Sequence, residues 1–319
     1  MTAIAAGVDV GGTKVEALLI DEAGTIIRRT RRATAHDVTT PPGGATADVI
    51  AAVLDELLGD DTVLPVGLGL PGMMTIDGRL AYAPNLQSAN DADFVELMSR
   101  RRPGQRVVCA NDADCAAVAE HHAGAAVGCD NFVMVTLGTG IGGGIFSHGR
   151  LLRGHSGFAG EIGHMVIDPR GPRCPCGQRG CWERFASGAG VARLAREAAA
   201  AGRLPHLVQI HGDVESIRGE DVTRAAADGL PEALAVVDEV GWWLARGIAN
   251  LAAILDVNRV VIGGGLTTAA TLLIPSARQH LAGMVEGEGA RPEIEIVPAT
   301  FGEQAGAIGA AFLAAAIEA

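Results

Sequence analysis

Apolar runs of strand length alternate with segments of helical periodicity in the first third of the chain. The runs at 4–10 and 15–20 are separated by Gly11-Gly12-Thr13, which predicts two strands joined by a tight turn. Within 45–58 the apolar side chains recur at three- and four-residue intervals, which predicts an amphipathic helix. The elements predicted for this third are strands at 4–10, 15–20, 25–30, 63–70 and 106–110, and helices at 45–58, 91–100 and 112–122.

The later part of the chain repeats this plan around a long insertion. A strand is expected at 131–137, a Gly-rich turn at 138–144, and a further strand and turn at 145–152. Val260-Val261-Ile262 then runs into three glycines, much as the strand at 63–70 runs into Pro71-Gly72. We interpret this as an approximate duplication with a central cleft between the two halves.

The predicted fold class is therefore α/β, with two domains. Residues 1–120 together with 303–319 are expected to form the smaller domain, and 121–302 the larger one with the insertion. A long helix at 232–254, preceded by Pro231, is expected to pack on the second sheet.

Composition and charge narrow the functional class. Hydrophobic residues make up 48% of the 319 residues, and the net charge is 25 − 37 = −12. An acidic protein repels nucleic acids and anionic membrane surfaces, so neither is an expected partner. Charged Asp9, Lys14 and Glu16 interrupt the first apolar stretch, which argues against a signal peptide or membrane span. A cytoplasmic location is expected.

Three of the six cysteines lie within eight positions. Cys174, Cys176 and Cys181 follow His164 in a segment rich in Gly and Pro. Three thiolates and one imidazole form a typical closed zinc site, so we predict structural zinc with no open coordination position. The alternative is three buried cysteines and an unrelated histidine.

Carboxylates flank this cluster. Glu161 precedes His164 by three residues, and Glu183 follows Cys181 by two. A metal-stiffened loop that carries carboxylates and an imidazole can hold a polyhydroxylated ligand, because carboxylates accept hydrogen bonds from hydroxyl groups. Taken singly, each glutamate is equally compatible with simple exposure to solvent.

The Gly-rich turns suggest phosphate binding. Asp9–Lys14 lies between two strands, so it matches neither the P-loop nor the Rossmann pattern. Backbone N–H groups of such a turn can still face an anion, and Asp9 is suited to hydrated Mg²⁺. Gly138-Thr139-Gly140 is a second such turn. A tight hairpin without a ligand is the alternative for each.

Asn111-Asp112 stands where a strand meets a helix. A plain helix cap would account for the pair. Within a cleft, Asp112 would instead be placed to accept the proton of an attacking hydroxyl group.

Taken together, these segments resemble the ROK (repressor, open reading frame, kinase) family of sugar kinases in the actin-like, ribonuclease H-like ATPase superfamily. They follow the family order over nearly the whole chain. The matching segments are Asp9–Lys14, Leu70–Gly72, Pro84–Leu86, Asn111–Ala113, Leu137–Gly144, Glu161–His164, the cysteine cluster through Glu183, and Ile262–Gly265.

The resemblance implies phosphorylation of a hexose, glucose above all, at its 6-hydroxyl by Mg²⁺-ATP. It implies that Asp112 is the catalytic base. It also implies sugar contacts by Gly72, Asn85, Asn111, Asp112, Glu161, His164 and Glu183, and ATP contacts by Asp9, Gly11, Gly12, Thr13, Lys14, Thr136, Gly138, Thr139, Gly140, Gly263, Gly264 and Gly265. Homodimers and homotetramers are usual in this family.

The same sequence features are compatible with other substrates and functions. The hexose can be N-acetylglucosamine, N-acetylmannosamine, mannose, fructose or allose, and the segment Gln87–Asn90 departs from many glucokinase-like members. A polyphosphate donor is less expected, because such relatives generally lack the cysteine cluster. A transcriptional repressor needs a DNA-binding region before the first Gly-rich turn, and Asp9 leaves no room for one. A non-catalytic sugar-sensing regulator would not need Asp112.

Overall fold

The computed structural model describes residues 2–38, 41–59, 64–265, 267–287 and 289–316, without the side chains of 267–269. The chain forms two compact units. Unit 1 comprises Met1–Asp130, Gly144–Gly160 and Thr300–Ala319, and unit 2 comprises Asn131–Gly143 and Glu161–Ala299. The domain boundaries expected after 120 and 302 stay a prediction.

Twelve strands lie within the described residues. They are β1 (Ala5–Val10), β2 (Lys14–Ile20), β3 (Ile26–Ala33), β4 (Val66–Leu70), β5 (Met73–Met74), β6 (Leu80–Tyr82), β7 (Val107–Asn111), β8 (Phe132–Leu137), β9 (Ile141–Ser147), β10 (Arg150–Leu151), β11 (Arg259–Gly263) and β12 (Glu295–Pro298).

The two main sheets share one topology. The first has the order β3-β2-β1-β4-β7, with antiparallel pairing among β1, β2 and β3 and parallel pairing of β1 with β4 and of β4 with β7. The second has the order β10-β9-β8-β11-β12, with β11 parallel to both β8 and β12. The same order in both sheets confirms the predicted duplication.

Ten α-helices accompany these strands in the described part of the chain. They are α1 (Gly44–Leu58), α2 (Phe94–Arg101), α3 (Asp112–Ala123), α4 (Glu183–Ala186), α5 (Gly188–Ala200), α6 (Pro205–His211), α7 (Gly219–Ala227), α8 (Pro231–Leu255), α9 (Thr267–Leu281) and α10 (Ala305–Ala315).

Several predicted bounds are wrong by a few residues. The helix expected at 91–100 begins at Phe94, because the Asp93 side chain accepts a hydrogen bond from the N–H of Glu96 at 2.9 Å and caps the first turn. The Ala-rich sequence of 303–318 also predicts a helix, which corresponds to α10 and begins only at Ala305, after a short 3₁₀ turn at Gly302–Gln304. Residues 317 and 318 of that prediction lie outside the described residues.

Helix α10 packs directly on the backbone of the first sheet. A Cβ atom at Gly7 would lie 1.8 Å from the carbonyl oxygen of Ala307, and one at Gly67 would lie 1.8 Å from that of Ala310. Only glycine permits this approach of helix to strands β1 and β4. The Ala-rich composition of α10 follows from the same close contact, since eight of its residues are buried.

Trp182 anchors the segment that carries the cysteine cluster to the core of unit 2. Its side chain is fully buried, and its indole N–H donates to the carbonyl oxygen of Trp243 at 2.9 Å. A Cβ atom at Gly247 would lie 2.0 Å from the indole ring, so α8 leaves space for the ring only because glycine stands there. Cys181 is thereby held next to a rigid residue.

Glu120 stabilises the end of α3 and the segment before α10. The residue is fully buried, and its carboxylate accepts hydrogen bonds from the N–H groups of Ala125, Thr300 and Phe301 at 2.8 to 3.0 Å. All these groups belong to unit 1.

We expect Glu120→Gln to lower the free energy of unfolding by about 3 kcal/mol. The glutamine side chain carries no negative charge, and its NH₂ group would face backbone N–H groups that now donate to the carboxylate. Urea denaturation followed by circular dichroism measures the change. The exposed Glu96→Gln, which removes one i,i+4 ion pair with Arg100, is the control and should shift stability by less than about 0.5 kcal/mol. Equal effects of both substitutions would contradict this role of Glu120.

Among the described residues, no helix combines the length and the apolar character that crossing a membrane requires.

Candidate active site and metal centre

The first Gly-rich turn joins β1 to β2 in unit 1. The N–H of Gly11 donates to the carbonyl oxygen of Lys14 at 2.8 Å, which closes the hairpin. The hydroxyl of Thr34 donates to the carbonyl oxygen of Gly11 at 2.7 Å. A ring nitrogen of His36 lies 2.7 Å from the carbonyl oxygen of Gly12. These contacts occupy carbonyl oxygens of the turn and hold its backbone in place. Thr13 at its tip is exposed.

Asn111 and Asp112 stand at the junction of β7 and α3. The Asn111 side chain accepts hydrogen bonds from the N–H groups of Ala113 and Asp114, and its amide donates to the carbonyl oxygen of Gly72 at 2.9 Å. One side chain therefore caps the helix and fixes the Gly72 turn. Asp112 is half-buried at the first position of the helix, where the helix dipole favours a negative charge.

Unit 1 brings Asp9 under the influence of Asp112. Burial raises the pKa of the Asp9 carboxyl from 3.8 to about 7, and the negative charge of Asp112 contributes to the increase. Lys14 opposes this effect, whereas Glu16 and Glu303 add to it. A site with this excess of negative charge favours a cation.

Glu303 and Glu16 were absent from the sequence-based site. Glu303 forms an ion pair with Lys14 at 3.3 Å, although the two residues are far apart in sequence. Glu16 is buried and lies two residues from Lys14 on β2, and therefore on the same face. Strand periodicity could have identified Glu16, whereas nothing in the sequence linked Glu303 to this region.

We expect Asp9→Asn to stabilise the cation-free protein at alkaline pH. Because the pKa of Asp9 is raised, the folded state binds the proton more tightly than the unfolded state. The contribution of this group is complete below pH 4 and is lost as pH rises through about 7. The resulting loss of folding stability amounts to at most about 4 kcal/mol. The Asp9→Asn variant does not lose this stability, because asparagine does not ionise.

Thermal unfolding in EDTA between pH 5 and pH 8 tests this expectation. The advantage of Asp9→Asn over the native chain should grow with pH, whereas the exposed Glu22→Gln should behave like the native chain at every pH. An advantage that does not change with pH would mean that the Asp9 carboxyl is an ordinary one.

The second Gly-rich turn lies in unit 2, between β8 and β9. The N–H of Gly138 donates to the carbonyl oxygen of Gly140 at 3.0 Å, and the N–H of Gly188 donates to the carbonyl oxygen of Gly138 at 2.8 Å. Thr136 pairs with Gly263 across β8 and β11. A Cβ atom at Gly264 would lie 2.5 Å from the carbonyl oxygen of Leu137. Unit 2 therefore brings predicted ATP contacts together at the carboxyl ends of β8 and β11, two inner strands of the second sheet.

The four predicted metal ligands converge. The ligand atoms of His164, Cys174, Cys176 and Cys181 all lie within 4.8 Å of one another. The sulfurs of Cys176 and Cys181 are 3.6 Å apart, and Nδ1 of His164 lies 3.7 Å from the sulfur of Cys174. Tetrahedral zinc with bonds of about 2.0 to 2.3 Å requires ligand separations of about 3.5 to 3.8 Å. The donor set and these two separations fit this ion, and the remaining ligand atoms lie within 4.8 Å.

Glu183 links the metal cluster to the second Gly-rich turn. One carboxylate oxygen lies 3.5 Å from the sulfur of Cys174, and the other accepts a hydrogen bond from the N–H of Ile141 at 3.3 Å. A Cβ atom at Gly140 would lie 2.3 Å from that second oxygen. Glu161 lies three residues before His164 and retains exposed surface. Partial burial of its carboxyl group raises the pKa of that group.

The predicted site residues divide between the units as follows. Unit 1 contains Asp9, Gly11, Gly12, Thr13, Lys14, Gly72, Asn85, Asn111 and Asp112, and unit 2 contains Thr136, Gly138, Thr139, Gly140, Glu161, His164, Cys174, Cys176, Cys181, Glu183, Gly263, Gly264 and Gly265. Within unit 1, a Cβ atom at Gly12 would lie 3.3 Å from the carbonyl oxygen of Asn85, so the first turn adjoins the Pro84–Leu86 segment. The roles of these residues stay predictions.

Known sugar kinases match this chain over nearly its full length. The glucokinase of Streptomyces coelicolor is 35% identical over 315 residues, which cover 97% of this chain and 96% of that protein. An N-acetylmannosamine kinase of Citrobacter koseri is 34% identical and covers 96% of this chain and 97% of its own length.

A solved structure matches at full length as well. The ROK family glucokinase from Streptomyces griseus, in complex with glucose and AMPPNP, has a TM-score of 0.84 at 34% identity and covers 98% of this chain and 99% of its own. The predicted α/β fold of the actin-like ATPases is thereby confirmed. The model of the ROK family matches residues 5–317. With nearly every residue inside that match, the chain belongs to the ROK family.

Proposed function

We propose that this protein is a glucokinase that transfers the γ-phosphoryl group of ATP to the 6-hydroxyl of glucose. The observation that carries the proposal is the full-length match to a structure whose bound molecules are glucose and an ATP analogue. Glucokinases from four further organisms, at 33 to 35% identity, support the same substrate. Phosphorylation of glucose is the entry step of carbohydrate breakdown.

In this proposal Asp112 accepts the proton of the attacking hydroxyl group. Its place at the start of α3 keeps the carboxylate fixed, since Asn111 caps the helix and also binds the backbone of Gly72. Fixed orientation of a base toward one hydroxyl supplies much of the rate in phosphoryl transfer, because the reaction needs an in-line nucleophile more than covalent chemistry.

The proposed contacts to the sugar are Gly72, Asn85, Asn111, Asp112, Glu161, His164 and Glu183. Carboxylate and amide side chains suit this role, because each accepts hydrogen bonds from hydroxyl groups in a defined direction. The proposed contacts to ATP are the backbone and side chains of Asp9–Lys14, Thr136–Gly140 and Gly263–Gly265. Mg²⁺ bound with ATP would neutralise phosphate charge, and Asp9 is the residue suited to hold it, because its surroundings carry excess negative charge.

We assign structural zinc to the cluster of His164, Cys174, Cys176 and Cys181. The ion would supply folding energy to the loop from Glu161 to Glu183, and with four protein ligands it would leave no position for water. Glu183 then takes its orientation from a stiff neighbour, which is the requirement for selective recognition of a sugar.

Phosphorylation of N-acetylmannosamine is the second candidate function. The observation in its favour is the Citrobacter koseri kinase, which is as similar in identity as the glucokinases are. Both reactions would use the same base, so the two differ only in the space left around the sugar 2-position.

A panel of hexoses with Mg²⁺-ATP distinguishes the candidates. The formation of ADP is followed by coupled assay with glucose, mannose, fructose, allose, N-acetylglucosamine and N-acetylmannosamine. We expect kcat/KM for glucose to exceed that for every other sugar by at least about tenfold. A preference for N-acetylmannosamine would replace the first candidate by the second, and no turnover with any sugar would refute both.

We propose that the protein forms a homodimer or homotetramer. We also propose that it is located in the cytoplasm. Light scattering coupled to size-exclusion chromatography would measure the molecular mass of the assembly directly.

A further inference from the structure

A cavity of about 420 Å³ opens beside β7, the edge strand of the first sheet. Its walls are mainly apolar and include Ile76, Val95, Cys109 and Leu313. Burial raises the pKa of Cys109 to about 12, so its thiol stays neutral and is part of the apolar wall. All the lining residues belong to unit 1, and none is among the proposed contacts to sugar or ATP.

The positively charged side chain of Arg153 lies in this wall, and few groups among the described residues bind it. Arg153 lines the cavity and donates one hydrogen bond, from Nη2 to the carbonyl oxygen of Thr75 at 3.3 Å. Its Nε is buried and has no hydrogen-bond partner among the residues that the structure describes. Among the described residues, no carboxylate lies within 4.0 Å of its guanidinium, whereas Arg100 and Arg101 of α2 each form an ion pair with a carboxylate. Such a partly desolvated guanidinium with unused donors binds an anion favourably.

The other charged group of the cavity limits the kind of anion. Asp77 lies in the turn between β5 and β6, and a hydrogen bond from the Thr75 side chain lowers its pKa, so it is ionised at neutral pH. The negative charge of Asp77, which lines the cavity and is exposed, repels phosphates with several charges. A ligand with one carboxylate and an apolar body meets less of this repulsion, because it carries a single negative charge.

We propose that this cavity binds a small apolar carboxylate, with the carboxylate on Arg153 and the hydrocarbon part against Ile76, Val95 and Leu313. The volume is within the range of small-molecule sites, and such sites are mostly apolar with a few oriented polar groups. Each methylene that leaves water adds to the affinity, so the affinity increases with chain length until the cavity is full.

Isothermal titration calorimetry of the full-length protein tests the proposal, with butyrate, hexanoate and octanoate as probes and hexan-1-ol as the uncharged probe. We expect hexanoate to bind more tightly than butyrate and hexan-1-ol. In Arg153→Gln the dissociation constant for hexanoate should rise at least about tenfold, whereas that for hexan-1-ol should not change. Arg79→Gln, in the same turn between β5 and β6 as Asp77 but outside the cavity lining, is the matched control and should bind like the native chain.

A second variant tests the apolar part independently of Arg153. Val95 is 40% exposed, so Val95→Trp should fold and fill the entrance of the cavity. It should reduce the affinity for octanoate at least about tenfold. The proposal is overturned if none of the carboxylates binds the native chain with a dissociation constant below about 10 mM, or if both variants bind hexanoate and octanoate as the native chain does.

Discussion

Asp112→Asn is expected to lower kcat for glucose phosphorylation by at least about 10³-fold, because an amide cannot accept the proton that the attacking hydroxyl group loses. The glucose dissociation constant should stay within about threefold, since asparagine is isosteric with aspartate and retains a carbonyl oxygen that accepts hydrogen bonds. Helix α3 should also remain intact, because its N-cap is Asn111 and not the substituted residue. Steady-state kinetics and glucose titration of the same preparation give the two quantities.

The control for this substitution is Asp48→Asn on the exposed side of α1. Its carboxylate forms a surface ion pair with Arg101 and should affect neither kcat nor sugar affinity. If Asp112→Asn kept more than a tenth of the native kcat, Asp112 would not be the base. If it lost glucose binding and turnover together, its role would be in sugar binding.

Removal of the metal is expected to raise KM for glucose by at least about tenfold and to lower the melting temperature by several degrees. The physical reason is that Glu183 and His164 would take their positions from the loop that the proposed zinc ion closes. Cys176→Ser is the variant of choice, because Cys176 is exposed and the loss of its sulfur leaves no cavity. Elemental analysis by mass spectrometry should find one zinc per native chain and much less in the variant.

Cys129→Ser is the matched control for the metal experiment. Cys129 is a buried cysteine outside the four-residue cluster, so its substitution should leave the zinc content unchanged. A native protein that holds no zinc after purification from zinc-supplied medium would refute the assignment. A Cys176→Ser variant with native KM would separate the metal from sugar recognition.

The elements predicted best from sequence are those with a long or strongly apolar pattern. The helix expected at 232–254 is α8, Pro231–Leu255, and the strand expected at 131–137 is β8, Phe132–Leu137. The helical period is clear over the 25 residues of α8, whereas β8 is a short, Val-containing apolar run that ends at a Gly-rich turn. The hairpin of β5 and β6 was not predicted, because strands of two and three residues have no period.

The insertion was the least predictable region. Helix α6, Pro205–His211, was not recognised, since its seven residues bury little and follow no clear amphipathic pattern. Helices α5 and α7 were also missed. In such short segments the packing between helices decides the structure more than local preference does.

The residue types and spacing in the sequence determined the chemistry that this protein can carry. Three thiols and an imidazole so close in a Gly-rich segment can converge on one ion, and an aspartate at a strand–helix junction is held by the helix itself. Only the tertiary structure decided the electrostatics around these groups. Glu303 pairs with Lys14 and raises the pKa of Asp9 from the far end of the chain, and among the described residues Arg153 lines an apolar cavity with no carboxylate within 4.0 Å of its guanidinium. Charge and burial depend on distances in space that sequence separation does not set.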